Sequence, residues 1–248
     1  QNVPRSALPS LFGEHGARSK VAHATDTCEA FEAMLSTFTE SADQRFVACI
    51  ERHCTMSVME MCECTCDEML EPLQYKQTMA YVSVSMLLQL ATGAPTEGVL
   101  SSQLASSVGP LCPTANCGNR MRILRYLMSP MPSLLTVGLS WDQTPVQPSA
   151  IHALLSLVEG QMDLQHAFKS IPQPATASIR GVLCSSQQPG GGIAFHSFVY
   201  EQATSTWHWH GDGTSEAIGE EWPAVISNCS LNRYKPALLL YQITTSQY

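Results

Sequence analysis

Two groups of residues in this chain have types and spacings that could do chemistry. The first is thiol: Cys62, Cys64 and Cys66 crowd together, and Cys112 and Cys117 bracket a short turn. Clustered thiolates of this kind look like metal-binding knuckles, and four of them in a tetrahedral arrangement suit Zn²⁺. In an extended segment Cys62, Cys64 and Cys66 share one face, so at most two would normally reach one metal. The other reading is that all of them are free buried thiols. The second group is His196, His208, His210 and Asp212, lying among aromatic residues near the C-terminal end. An imidazole can activate a thiol when a third group holds the ring in place. The first cysteine of the chain, Cys28, is a poor nucleophile. Asp26 and Glu29 form a capping-box-like start before Phe31, Met34, Leu35 and Phe38 at helical spacing, which makes Cys28 a buried small hydrophobe. A metal site built from His196, His208 and His210 lacks any spaced carboxylate except Asp212, and surface histidines explain the latter two better. Gly190, Gly191 and Gly192 have no following helix or Lys, so they read as a flexible hairpin rather than a phosphate cradle.

The elements that must position these groups read as a mixture of helices and strands. A helix follows Asp26, and a second spans 43–53. Alternation from 55 to 61 predicts a strand running into the cysteine cluster, and alternation over 73–82 predicts one strand running back out. Short helices are expected at 82–90 and 96–107, split by Gly93-Ala94-Pro95. The clearest strand covers 135–141, with Leu135, Val137, Leu139 and Trp141 on one face. Ile151, Leu154, Leu155 and Val158 form a helical stripe, and Leu164 and Phe168 continue the apolar anchoring. Strands follow at 179–184 and 193–200, then Trp207 to Asp212, a turn through 218–222, and a last apolar strand at 234–241.

The order of these motifs resembles the catalytic domain of ubiquitin-specific proteases, papain-like cysteine peptidases, from about residue 25 to residue 241. In that family a strand carries His-Tyr-x-x-Phe/Tyr, a later Trp-x-x-Phe-Asp/Asn-Asp/Ser orients the histidine, and Tyr-x-Pro-x-x-Leu-x-Tyr closes the sheet. Tyr234-Lys235-Pro236-Ala237-Leu238-Leu239-Leu240-Tyr241 matches the last motif. Cys112-Pro113-Thr114-Ala115-Asn116-Cys117-Gly118 and Gly138-Leu139-Ser140-Trp141-Asp142 look most like the divergent, largely inactive branch of the family. The resemblance implies an α+β, papain-like fold: an N-terminal loop-like extension over 1–24, a helical thumb remnant over 25–54, zinc-ribbon-like β fingers over 55–132 and an antiparallel β palm over 133–248. It also pairs the two knuckles in space. Cys64, Cys66, Cys112 and Cys117 are then the preferred Zn²⁺ ligands, with Cys62 an alternative and Cys54 or His53 a stand-in for one.

Laid onto Ala194-Phe195-His196-Ser197-Phe198, the histidine motif puts Ala194 at the general base. Counting from Trp207, the orienting residue falls on Gly211, and only Asp212 survives of the acidic pair. No segment resembles the family's nucleophile turn. His196 lies two residues further along the same face, roughly 7 Å away, and a register slip could bring it back.

Composition limits the remaining possibilities. The 248 residues are 44% hydrophobic, enough for a sizeable core. A formal charge of −8 without a basic run argues against sequence-independent nucleic-acid binding. No apolar stretch approaches the roughly 20 residues of a membrane helix. The chain starts at Gln1 with neither an initiator Met nor a signal-peptide pattern, as expected of a processed product or a segment of something longer. Clustered cysteines in a chain with its own core point to a reducing compartment, the cytoplasm, rather than to a disulfide scaffold. The leading expectation is a catalytically inactive pseudo-deubiquitinase acting as an interaction or scaffold module in a larger assembly, with protein partners and ubiquitin as a further candidate. Its rival is an active thiol-dependent deubiquitinase whose nucleophile segment lies outside this chain. Trp207 and Trp209, with His196 and His210, are expected to form an aromatic wall on which a partner chain buries the outward-facing tryptophan.

Overall fold

A computed structural model describes residues 27–39, 43–92, 98–128, 130–142, 146–188 and 190–245. Both Asp26 and the loop-like extension expected at 1–24 lie outside these residues. Helix α1 (Thr27–Thr39) is followed by α2 (Gln44–Cys54), which starts where the Asp43 carboxylate accepts a hydrogen bond from the Arg45 backbone N–H at 3.0 Å. The chain then forms β1 (Met56–Glu63), β2 (Leu73–Gln77), β3 (Ala80–Ser83), α3 (Val84–Ala91), α4 (Val99–Ala105), β4 (Ser106–Leu111), β5 (Arg120–Leu127) and β6 (Leu134–Ser140). Next come α5 (Pro148–Leu157), β7 (Gln161–Asp163), α6 (Leu164–Ala167), β8 (Ala175–Gln187), β9 (Ile193–Glu201), β10 (Thr206–Gly211), β11 (Thr214–Gly219), α7 (Trp222–Leu231) and β12 (Lys235–Thr245).

Two sheets organise this α+β architecture. The fingers are four antiparallel strands in the order β2-β1-β5-β4, and the palm runs β11-β10-β9-β8-β12-β6-β3 with β7 on the flank of β8. The palm is antiparallel except for β3, which runs parallel to β6. Its two faces bury different residues of the same strand. On β12, Leu239 and Tyr241 enter the main core with residues of α3 to α7, while Leu238 and Leu240 join Cys28 and Phe31 of α1 and Met79 in a second cluster. Tyr241 is fully buried and donates its hydroxyl to the Glu159 carbonyl at 3.0 Å, so its polar tip is satisfied.

Several expectations change at this level. The single strand expected at 73–82 is two strands in different sheets, β2 in the fingers and β3 in the palm. A Cβ on Gly138 would stand 2.5 Å from Met79 Sδ and 2.9 Å from the Tyr81 ring, so any other residue there would have to displace these two side chains. The span 55–132 is accordingly not all fingers, because β3, α3 and α4 pack with the palm core. The helix expected at 96–107 is shorter, and its last residues open β4. The turn expected at 218–222 ends β11 and leads straight into α7, whose Pro223 stands in the first turn, where a missing N–H costs nothing.

Candidate functional site

The thiols come together at the tip of the fingers, where two tight turns aim them at one point. In the first turn the Asp67 backbone N–H donates to the Cys64 carbonyl at 3.1 Å, and Cys64 N–H donates to the Glu68 carbonyl at 2.9 Å. In the second, Cys117 N–H donates to Thr114 O at 3.1 Å and Cys112 N–H to Asn119 O at 2.8 Å. Asp67, Asn116 and Gly118 take positive φ of 65°, 65° and 66°, which short polar residues and glycine tolerate best. Thr114 Oγ1 donates to Glu68 Oε2 at 3.1 Å and Asn119 Nδ2 to Thr65 Oγ1 at 3.0 Å, tying one turn to the other.

Cys64 Sγ lies 3.6 Å from Cys117 Sγ, and Cys66 Sγ lies 3.5 Å from Cys112 Sγ. All four sulfurs fall within 4.8 Å of one another. A tetrahedral zinc with Zn–S bonds near 2.3 Å requires sulfurs about 3.8 Å apart, so the donor set fits Zn²⁺ in number, type and spacing. The Asn119 backbone N–H favours a thiolate at Cys117, but the crowding thiols of Cys66, Cys64 and Cys112, with some burial, outweigh it and push this thiol up to about 12. A bound cation would favour the thiolates that the bare cluster disfavours. The preferred ligands of the sequence are therefore the ones that converge, while the alternatives drop out. Cys62 stays in β1 opposite Ile123, and His53 is held elsewhere, its Nδ1 2.9 Å from Ser133 Oγ. Cys54 is not in the cluster either.

The second group lies on the palm. Strands β9 and β10 pair without irregularity from Thr206↔Glu201 to His210↔Ser197. Ala194, His196 and Phe198 point to the buried face, whereas Ile193, Phe195 and Val199 point outward. Ala194 stands opposite Ser186 of β8 and carries no polar group. The His196 ring is 6% exposed and is stacked on Tyr234 at 4.0 Å between centroids, with Trp209 beyond at 5.8 Å. Its Nε2 is 2.9 Å from Ser186 Oγ, and its Nδ1 has no hydrogen-bond partner among the described residues. Burial lowers the His196 pKa from 6.5, and the Asp212 carboxylate opposes that shift, so at neutral pH the ring is an uncharged imidazole. Asp212 sits at φ 49° in the turn after β10 and acts on the ring only as a charge.

Of the two tryptophans in the expected aromatic wall, Trp207 faces inward and Trp209 is the partly exposed one. Trp207 is 3% exposed and packs in the core against Tyr200 and Trp222. Trp209 is half-buried, lies 7° from parallel with Tyr234, and buries its Nε1. The residues that do face out on β9 are aliphatic and phenyl: Ile193 and Phe195, each 51% exposed, and Val199 at 42%. His208 Nε2 is 3.3 Å from Glu201 Oε2, and the His208 and His210 rings are 6.4 Å apart. Among the described residues only the four cysteines form a converging group of three or more metal-ligating side chains. Cys28 is buried, as expected, and donates its thiol to the Ala237 carbonyl at 3.0 Å.

Sequence reasoning missed Ser186 and Tyr234, the two groups that hold His196. Each reaches the imidazole only through sheet pairing or packing, so no local motif announces it. It also missed a buried thiol pair, Cys184 and Cys229, with sulfurs 3.9 Å apart and both pinned in the core. Burial, with the neighbouring Cys229 thiol, raises the Cys184 pKa well above 9.0, which makes that thiol an inert filler rather than a nucleophile.

No family model matches the chain. It is 29% identical over 259 residues to ubiquitin carboxyl-terminal hydrolase 54 of Rattus norvegicus and 28% identical to that of Mus musculus. Each match covers 96% of this chain but 16% of the relative, so the chain spans about a sixth of those proteins' length. Among solved structures, the SAGA DUB module of Ubp8, Sgf11, Sus1 and Sgf73 bound to monoubiquitin superposes with a TM-score of 0.55 at 10% identity, covering 90% of this chain and 49% of that one. A second structure of the module gives 0.58 at 8% identity, covering 92% and 52%. The resemblance to ubiquitin-specific proteases thus holds both in whole-chain sequence and in fold. No helix among the described residues is long and apolar enough to cross a membrane.

Proposed function

We propose that this chain is a catalytically inactive ubiquitin-specific-protease-like module, a pseudo-deubiquitinase that works as an interaction or scaffold unit of a larger assembly. One observation carries the reading. At the positions the family resemblance assigns to the general base and its orienter stand Ala194 and Gly211, and the nearest imidazole, His196, is sealed between Tyr234, Trp209 and Ser186. A peptidase thiol needs an accessible imidazole to take its proton and a third group to hold that imidazole. Here position 194 offers a methyl group, position 211 offers no side chain, and His196 has no open side from which to receive a proton. A nucleophile segment supplied from elsewhere would meet the same deficit.

The role of the module then rests on its rigid frame: a palm with a large core, and fingers braced by zinc on Cys64, Cys66, Cys112 and Cys117. Protein partners are favoured because the chain corresponds to a small part of long relatives and because the superposing Ubp8 works in a module with three other subunits. Ubiquitin is the further candidate ligand, since one of those structures holds monoubiquitin. Free thiols and a thiolate metal site suit a reducing compartment such as the cytoplasm.

The test is reactivity of the purified chain, and of the full-length protein, with a ubiquitin bearing a C-terminal electrophile, together with a di-ubiquitin cleavage assay. No adduct and no cleavage are expected. Cleavage that disappears in Ala194 or Gly211 variants, or on alkylation of a thiol outside this chain, establishes instead the thiol-dependent hydrolase with a distant nucleophile, the activity carried in the names of the relatives.

A further inference from the structure

The glycine at 211 is not explained by its backbone. It does not adopt the positive φ for which glycine is favoured, unlike Gly213 and Gly219 nearby, and it stands at the end of a regular strand. Only close approach accounts for it. A Cβ built at this position would lie 2.5 Å from Trp209 Cζ2, 3.1 Å from Trp209 Cε2 and 2.6 Å from His196 Nδ1. Neither ring is a flexible tip that swings aside. Trp209 is nearly parallel to Tyr234, and His196 is held by the same Tyr234 ring at 4.0 Å and by Ser186 Oγ at 2.9 Å. The space that a side chain at 211 would enter is therefore filled by the imidazole of the next strand and the indole of its own.

We propose that His196, Trp209 and Gly211 form one interlocked plug: the imidazole and the indole together occupy the volume of the missing orienting side chain, so residue 211 can carry a side chain only when both rings give way. This rests on the reading of Gly211 as the orienter position and adds to it. The site is not merely stripped of two groups but refilled, and restoring a base at 194 and a carboxylate at 211 would not rebuild the pair while His196 stays. The groups facing the imidazole are the Ser186 hydroxyl from β8, the Tyr234 phenol from the segment before β12, and the Asp212 carboxylate from the turn after β10. Cys184, its cross-strand neighbour on β8, is a neutral thiol.

The experiment is a double-mutant cycle in the full chain with Gly211→Ala, His196→Ser and the double variant, read by urea unfolding. Overpacking of a rigid site predicts that Gly211→Ala lowers the folding equilibrium constant by about tenfold or more, and that the same change costs severalfold less in the His196→Ser background, where only Trp209 remains in the way. A second readout follows the ring itself by NMR. In wild type His196 titrates below the ordinary histidine value, and in Gly211→Ala the displaced ring loses Ser186, gains solvent and titrates closer to that value. If Gly211→Ala does not fold alone, recovery of folding in the double variant is the supporting result. Equal costs in both backgrounds, with an unchanged His196 titration, overturn the proposal. That outcome leaves the reading of an inactive module standing, while ubiquitin cleavage by the wild type would sink that reading without touching the cycle.

Discussion

Replacing Cys112 with serine removes one of four sulfurs from the fingers tip, and the structure indicates how far the damage spreads. With metal bound, a four-thiolate site contributes on the order of 10 kcal/mol to the order of its own turns. Without it, the tip keeps its local backbone bonds, the hydrogen bonds from Thr114 to Glu68 and from Asn119 to Thr65 between the turns, and a long contact from Cys66 to Thr114. These side-chain contacts are exposed, and each is worth about 1 kcal/mol at most. The palm core, with Leu135, Ile151, Leu155 and Tyr241 all fully buried, does not depend on the tip. Wild-type protein purified under reducing conditions with zinc available should therefore carry about one zinc per chain by elemental analysis. Cys112→Ser should carry far less. Hydrogen exchange should accelerate by orders of magnitude over residues 62–70 and 112–120 and change little in β8 and β12. Acid should act in the same direction as the substitution. Zinc binds thiolates, and the metal-free Cys117 thiol sits up at about 12, so protons compete for the site more strongly as pH falls. Well under one zinc in the wild type refutes the reasoning, and so does chelation that leaves exchange at the tip unchanged.

Three further outcomes follow from the palm and the fingers base. His196 has a folded-state pKa below its ordinary 6.5, so the unfolded chain binds the extra proton more readily; its contribution is full above that value and is lost as pH falls from 6.5 through the folded pKa. Urea midpoints should show that acid loss, His196→Asn should reduce it, and an unchanged pH profile in the variant would count against a buried neutral ring. Trp209→Ala should destabilise the chain by about 2–3 kcal/mol, below the range for a fully buried tryptophan because this one is half-buried, with the loss seen in urea unfolding of the isolated chain. A substitution that is silent there and weakens only complex formation would favour the outward-anchor reading. Arg125 donates to Glu60 Oε1 at 2.8 Å, to Ser107 Oγ at 2.8 Å and to the Gln103 carbonyl at 3.3 Å; Arg125→Met should cost about 2–3 kcal/mol by stranding a largely covered carboxylate, and Glu60→Gln in the same chain should recover part of it.

The features legible in the residues alone are local or ordered along the chain. Periodicity marked α1, α2, β1, β6 and the stripe of α5, because one face of each meets a core and the pattern repeats at the period of the element. Knuckle chemistry marked the four cysteines, since clustered thiols followed by residues that accept positive φ are a local feature. The order of motifs carried the α+β fold and the palm. The rest depends on partners far apart in the chain. Over 73–82 the pattern passes from alternation into the apolar run Met79 to Val82 with no Gly, Pro, Asn or Asp between, so no turn residue reports that the strand leaves one sheet for another between Gln77 and Ala80. Edge strand β4 lacks a distinctive pattern and exists because β5 offers it a partner. Trp207 and Trp209 share a face by strand geometry, yet their burial depends on α7 and on Tyr234. Above all, a glycine at 211 reads in sequence as a lost group. Only the pairing of β9 with β10 brings His196 into the space beside it, because a strand's alternation fixes which face a side chain takes while the neighbouring strand fixes what it meets there.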